Sequence, residues 1–311
     1  MTMSNRQVRV IDPILSNVAQ GYIHPERVGH ALFPRVPVHV RGGKIIEFGR
    51  ESFKRYNARR AAGGNTKRVE IGYEGKDFAL VEDSLEGVVD RKHLEDAQAV
   101  PGIALGTETV NGVMDILTLS LEIEQAELAL SAANYGANHK DTLAGTDIWT
   151  DPASDPAKQI REYREAVRSA IGIRPNTMVV SPGGFNGLCE NPKVLERFKY
   201  TSSDSVTADM LAKLFNLDRL VVGEAVYMDG QGEMIDVWGN AAVLAYVPQA
   251  VSSNRAPSYG YTYTLNGHPI AEEAYYERNP KSWLYPVTYE RRAVLSGIEA
   301  GFLIQNVAAA A

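Results

Sequence analysis

Cysteine is nearly missing: Cys189 stands alone among 311 residues. A single thiol excludes an internal disulfide, and synthesis in a reducing cytosol fits that best. Long apolar runs are missing too, and no stretch approaches the roughly 18 consecutive apolar residues of a membrane span. The opening MTMSNRQVRVIDPILSNVAQGY has no apolar segment leading to a small-residue cleavage site, so no secretion signal is expected. Net positive charge is absent as well. The formal charge of −6 argues against a protein whose main surface grips nucleic acid non-specifically, since that work needs a net basic face.

Chemistry-bearing patterns are also scarce. His24, His30, His39, His93, His139 and His268 are scattered, and no two lie three or four apart on an expected helix with an acidic partner. That spacing offers no zinc site. Ser181 ends an apolar run but lacks the G-x-S-x-G elbow of a hydrolase. The Pro182-Gly-Gly184 that follows has no P-loop lysine, and reads as a simple turn out of a strand. Cys189, in GGFNGLCENP, matches no thiol-protease signature and reads as a small buried hydrophobe. No catalytic residue, metal or cofactor is expected, so the chain reads as non-enzymatic.

What the chain does have is a core-forming composition, 44% hydrophobic and 23% charged, enough for one large domain or two ordinary ones. Its charge is unevenly placed. The segment RGGKIIEFGRESFKRYNARRAAGGNTKR carries nine basic side chains, Arg41, Lys44, Arg50, Lys54, Arg55, Arg59, Arg60, Lys67 and Arg68, against Glu47 and Glu51. The sign then reverses: Glu74, Asp77, Glu82, Asp83, Glu86 and Asp90 face only Lys76. Strand-like Lys44–Phe48 and Arg68–Tyr73, with Gly42-Gly43 and Gly63-Gly64 as turns, predict a two-stranded ribbon with an elaborated tip, where a short helix over 51–62 fits. A dozen residues per strand at ~3.3 Å each would project about 40 Å. Such a ribbon is marginal alone in water and needs a surface to lie on.

A solvated loop, contact with nucleic acid and contact with a neighbouring subunit remain open for this segment. Phe48, Phe53 and Tyr56 do not interleave as a base-stacking platform would. The acidic block beside it favours subunit contact, although the two patches could also pair across the ribbon within one chain. Exposed ion pairs contribute only ~0–1 kcal/mol each, so they would set register while buried apolar area holds.

Elsewhere, residues 1–40 look irregular, a proline-rich arm (Pro13, Pro25, Pro34, Pro37) lying over something else. A long helix is predicted over 107–135, with Val110, Val113, Met114, Leu117, Leu121 and Leu128 inward, Glu122, Glu124 and Glu127 outward and Gly136 as its cap. Asp155-Pro156 opens a second helix that Gly172 ends. Strand 177–181, short helices near 192–198 and 207–215, and strand 219–227 build an α/β lobe. Strands at 242–247, 259–264, 285–292 and 301–307 complete the chain.

Three stretches, NTMVVSPGGFNGLCENPKVLERFKY (176–200), LFNLDRLVVGEAVY (214–227) and VWGNAAVLAYVP (237–248), together with the order of parts, resemble the major capsid protein of tailed double-stranded-DNA bacteriophages. The resemblance implies an α+β tailed-phage major-capsid fold: an N-terminal arm (1–39), an extended β-hairpin loop (40–80), a peripheral domain (81–145) with spine helix 107–135, and an α/β axial domain (146–264). Peripheral return strands (265–297) and a C-terminal strand returning to the axial domain (298–311) follow. It implies self-assembly as pentamers and hexamers into an icosahedral capsid around double-stranded DNA. An encapsulin-type nanocompartment shell and a DNA-binding protein using the basic loop are the alternatives. The basic residues named above would contact a neighbour's acidic residues. The implied partners are further copies, separate scaffolding, portal and decoration proteins, and DNA touched weakly on the inner face, with no membrane and no cofactor. The place implied is the virion, after assembly in the bacterial host cytoplasm. Because an arm begins within a few residues of Met1, a scaffold would be a separate protein or already removed. Lys44, Lys54 and Lys67 occupy the loop where some relatives cross-link covalently, but nothing in the sequence marks any of them as reactive.

Overall fold

Asp12 opens the first helix: its carboxylate accepts from the N–H groups of Ile14 and Leu15 at 2.8 and 2.9 Å, and Pro13 takes the first helical position. The computed structural model describes residues 11–44, 59, 77–98, 104–198, 206–248 and 258–309. Residues 11–40 are therefore less irregular than expected; 1–10 lie outside the described residues. Helix α1 (Pro13–Gly21) turns Leu15, Val18, Ala19 and Tyr22 onto the long helix. Leu32 and Phe33 are buried, and β1 (Arg35–Val38) joins a sheet. The apolar spacing from Leu15 to Tyr22 is helical; the prolines on either side obscured it.

Strands β2 (Gly42–Lys44) and β3 (Asp77–Ala79) pair antiparallel as Gly42 with Ala79, Gly43 with Phe78 and Lys44 with Asp77. They form the root of the expected ribbon; 45–48 and 68–73 lie outside the described residues. Then come β4 (Val81–Asp90), α2 (Arg91–Gln98) and α3 (Leu105–Leu130). Helix α3 is the spine, 26 residues or about 39 Å long. It ends five residues before the expected boundary. Asn134 and Tyr135 donate side-chain hydrogen bonds to the carbonyls of Leu128 and Ala129 at 2.9 and 2.7 Å, and so cap the helix from outside it.

The lobe begins with β5 (Lys140–Thr142) and α4 (Pro156–Ile171). As expected, Asp155 caps α4 onto the Lys158 N–H at 3.0 Å, and Gly172 ends it at φ 73°, a conformation that suits glycine. Strand β6 (Thr177–Val180) leads not into a bare turn but into α5 (Pro182–Glu190), with Ser181 as N-cap and Pro182 first. Next are α6 (Pro192–Phe198), α7 (Ala208–Leu214), β7 (Arg219–Val222), β8 (Val226–Met228), β9 (Met234–Asp236) and β10 (Ala241–Ala245). The expected strand 219–227 is thus two strands. The chain closes through β11 (Gly260–Leu265), β12 (Ile270–Ala271), β13 (Tyr275–Glu277), β14 (Ser282–Leu295) and β15 (Gly301–Gln305).

Among the described residues, two sheets organise these elements. A six-stranded sheet runs β1-β11-β14-β12, with β4 and β13 also on β14; the spine and α1 cover it through Val110, Val113, Met114, Leu117, Tyr285 and Val287. A five-stranded sheet, β5-β15-β10-β6-β7, centres the larger core with Trp149, Ile160, Val167, Leu188, Leu244 and Leu303. Pairing thus assigns β11 to the first sheet and β5 to the second, although the boundaries at 145 and 264 put each on the other side. Both strands follow their hydrogen-bonded neighbours, β14 and β15, rather than their neighbours in sequence.

Candidate assembly surfaces

Strand β4 carries most of the acidic block, and its position gives those carboxylates their geometry. It pairs with β14 over ten residues, from Ser282 with Asp90 to Arg291 with Val81. Its other side has no strand partner among the described residues. Val81, Leu85 and Val88 are exposed on it. A long edge with apolar side chains invites pairing with another chain, and charges on the edge restrain that pairing. The acidic residues do not all point outward. Asp83 is drawn to the buried Arg291 at 2.9 Å, Glu86 accepts from the Tyr275 hydroxyl at 3.0 Å, and the Asp90 carboxylate accepts from the Lys92 N–H at 2.8 Å.

Of the nine basic residues, Arg41, Lys44 and Arg59 are described; Arg50, Lys54, Arg55, Arg60, Lys67 and Arg68, with acidic Glu74, lie outside the described residues. Arg41 is committed within its own chain. It forms a two-pronged pair with Glu290, Nε to Oε2 at 2.5 Å and Nη2 to Oε1 at 2.8 Å. Glu290 is buried and sits opposite Glu82 across the β4–β14 ladder. Facing like charges destabilise a sheet pair. The Arg41 guanidinium offsets this, and its bond to Glu290 raises its own pKa, with Glu82 adding to the rise. Lys44 stands opposite Asp77 in the root register of the same molecule. The root is also packed: the Phe78 ring stacks on Tyr263 with centroids 4.6 Å apart, and the Leu80 N–H donates to the Arg41 carbonyl at 2.8 Å. The root needs no neighbour.

Glu122, expected on the exposed face of the spine, is buried. Its carboxylate accepts from the N–H groups of Val28 and Gly29 at 3.0 and 2.9 Å, and from the Trp238 indole N–H at 2.7 Å. Three distant segments meet on one side chain. A Cβ on Gly223 would stand 2.2 Å from the Trp238 ring, so the Gly of VVGEAVY makes room for the Trp of VWGN. Burial raises the Glu122 pKa, and the three donors pull it partly back. The folded state therefore holds the proton more tightly than the unfolded chain. This group's contribution to stability is largest in acid and is lost as pH rises through the folded pKa. Glu122→Gln should remove that loss, flattening stability against pH just above the ordinary carboxylate value. Glu122→Ala, leaving three donors without an acceptor, should cost about 4 kcal/mol, measured by urea unfolding.

Ser181 and Cys189 both have structural partners. Ser181 is buried and accepts from the Gly184 N–H at 3.3 Å. Cys189 is half-buried, its Sγ lies 3.6 Å from the Val206 carbonyl, and burial pushes its thiol pKa up. Among the described residues, no three His, Cys, Asp or Glu side chains gather as a metal site would require. A cleft of about 550 Å³ is lined by His30, Arg35, Asn176, Asp218 and Arg219, with His30 Nε2 3.2 Å from the Arg219 guanidinium.

Comparison with known proteins adds an independent line. The family described as phage major capsid protein E matches residues 128–281. The major capsid protein of Burkholderia phage BcepMu is 36% identical over 307 residues, 97% of this chain and 98% of that one. The crystal structure of a phage-related protein from Bordetella bronchiseptica superposes with a TM-score of 0.86 at 43% identity, covering 98% of this chain and all of the other. At the level of fold alone, an encapsulin complex from Synechococcus elongatus gives a TM-score of 0.56 at 11% identity, covering 92% of this chain and 89% of its own.

Proposed function

The chain belongs to the family of phage major capsid proteins, and from that membership we propose that its copies assemble as pentamers and hexamers into an icosahedral shell around a double-stranded DNA genome. No turnover is needed for that task. The relatives are structural proteins by name, and Ser181 and Cys189 serve as a helix cap and a packed side chain. The observation that carries the mechanism is the separation of charge between the ribbon and β4. Arg41 and Lys44 belong to the described root, while the remaining basic residues of the block are carried by 50–68 of the sequence. Their counterpart is the acidic outer edge of a neighbour's β4, where Val81, Leu85 and Val88 offer apolar area and Glu82 and Glu86 set the register.

Negative-stain micrographs of the expressed protein test this reading, with closed shells or capsomer-sized rings expected. A monomer at every concentration, alone and with its phage's other assembly proteins, would overturn it. The resemblance of fold to an encapsulin makes the shell's contents informative: nuclease-protected DNA supports the capsid, and enclosed protein without nucleic acid supports a nanocompartment. Scaffolding, portal and decoration proteins would join as separate chains.

A further inference from the structure

A second pair of complementary surfaces lies in the lobe. Residues 223–240 carry four carboxylates, Glu224, Asp229, Glu233 and Asp236, and no lysine or arginine. Within them, among the described residues, β8 and β9 pair only with each other, Met228 facing Met234. Met228 and Met234 are 68% and 64% exposed, and Val226 and Ile235 are exposed too. Asp229 builds the hairpin turn, accepting from the Gln231 and Glu233 N–H groups at 2.8 and 2.9 Å. Glu224, Glu233 and Asp236 are exposed and form no ion pair among the described residues. An apolar tip ringed by one sign of charge has the make-up of a contact surface.

The opposite sign stands at the other end of the same sheet edge. A pocket of about 210 Å³ is lined by Arg161, Arg164 and Arg197 with Leu214 and Phe215. Arg164 is anchored, donating to the carbonyls of Phe215 and Asn216 at 2.7 Å each. Arg161 is exposed without an ion pair among the described residues, and Arg197 reaches Asp155 only at 3.9 Å. Phe215 and Asn216 precede β7, whereas the hairpin follows it, and β7 runs parallel to β6 from Arg219 to Val222. The strand separates the two features by roughly 10 Å before the hairpin begins.

We propose that the β8–β9 hairpin of one copy seats in the arginine pocket of the next, its carboxylates meeting Arg161 and Arg197 and its methionines resting beside the half-buried Leu214. The inference rests on the self-assembly reading and adds a specific contact to it. Two different surfaces make the contact head to tail, the kind that repeats around a closed ring rather than stopping at a dimer.

Charge exchange tests it. Glu233→Lys with Asp236→Lys, or Arg161→Glu with Arg197→Glu, should each lower particle yield about tenfold or more, through like charges brought together, with unchanged circular dichroism and melting. All four changes together should restore most of the yield. Normal assembly by either pair, or a combined variant as defective as its parents, overturns the proposal. So does pocket reversal that removes packaged nucleic acid yet leaves rings intact, because the occupant would then be a phosphate backbone. In a Cys189→Ser background, Glu233→Cys with Arg161→Cys should oxidise into a ladder of covalent oligomers ending at the ring size. Dimers alone, crosslinks within one chain or no crosslinks in intact particles overturn the head-to-tail contact while leaving self-assembly standing. Failure of the unaltered protein to assemble removes both.

Discussion

Replacing Arg50, Arg55, Arg59 and Arg60 together with glutamine should give a monomer that melts where the parent does and yet fails to build shells. The expectation separates two roles that the basic segment could have had. Arg41, which is excluded from the set, holds Glu290 inside its own molecule, and its loss would confound folding with assembly. The root keeps its Phe78–Tyr263 stack and its strand register in the variant. What the proposed contact loses is attraction between charges on different copies. At about 0.5 kcal/mol for each of four pairs, roughly 2 kcal/mol disappears per contact, or about thirtyfold in its equilibrium constant. The loss recurs at each such contact of a closed shell, so yield falls steeply.

Salt supplies the control. Screening contracts from about 10 Å at 0.1 M to about 3 Å at 1 M, so the parent's assembly should weaken over that range while the variant's residual assembly changes little. Light scattering against salt for both proteins measures it. Variant shells of normal size and yield would return the segment to the status of a solvated loop.

The lobe was legible because its signals are local. Asp155, Pro156 and Gly172 delimit α4 by capping chemistry that needs no knowledge of the rest of the chain. The stretches carrying the family resemblance also acquire a physical reason. Gly223 leaves space for Trp238, whose indole binds Glu122, and Asn191 donates to the Trp149 carbonyl at 3.1 Å and the Ser154 hydroxyl at 2.8 Å. Long-range partners stayed hidden. Glu122 occupies a position on the spine where helical periodicity predicts an exposed acid. The backbone of Val28 and Gly29, more than ninety residues away in sequence, and the Trp238 indole turn it into a buried acceptor. Pro182-Gly-Gly184 reads as a turn for a related reason: Pro-Gly-Gly breaks helices in their interior but is tolerated at their first turn. The assembly residues divide in the same way. Charge sign was plain in the sequence, whereas the inward commitment of Arg41 and Asp83 depended on which strand β4 pairs with.

Asp83 leads to the largest stability effect expected in the molecule. Its partner Arg291 is 1% exposed and makes three contacts: Asp83 on β4 at 2.9 Å, Glu124 on the spine at 3.0 Å, and the Leu117 carbonyl at 3.1 Å. Its guanidinium also lies over the Tyr289 ring, 5.3 Å from the centroid. One side chain thus joins the acidic edge strand, the sheet's central strand and the spine. Arg291→Ala should cost about 3–5 kcal/mol, because it breaks a buried ion network and leaves a void. For a chain of this size, that lowers Tm by roughly 5–8 °C.

Arg291→Met separates the two contributions. Methionine keeps the apolar stem in place and removes the desolvation cost of a buried cation. Asp83 and Glu124 retain 34% and 27% side-chain exposure, so both carboxylates can turn toward water once the cation is gone. The methionine variant should therefore lose about half of what alanine loses, and a melting curve for each reads the difference. Equal losses would mean that charge pairing, and not the packed stem, holds β4 against the spine. An unchanged Tm in Arg291→Ala would mean that the ten-residue ladder with β14 holds the edge strand by itself.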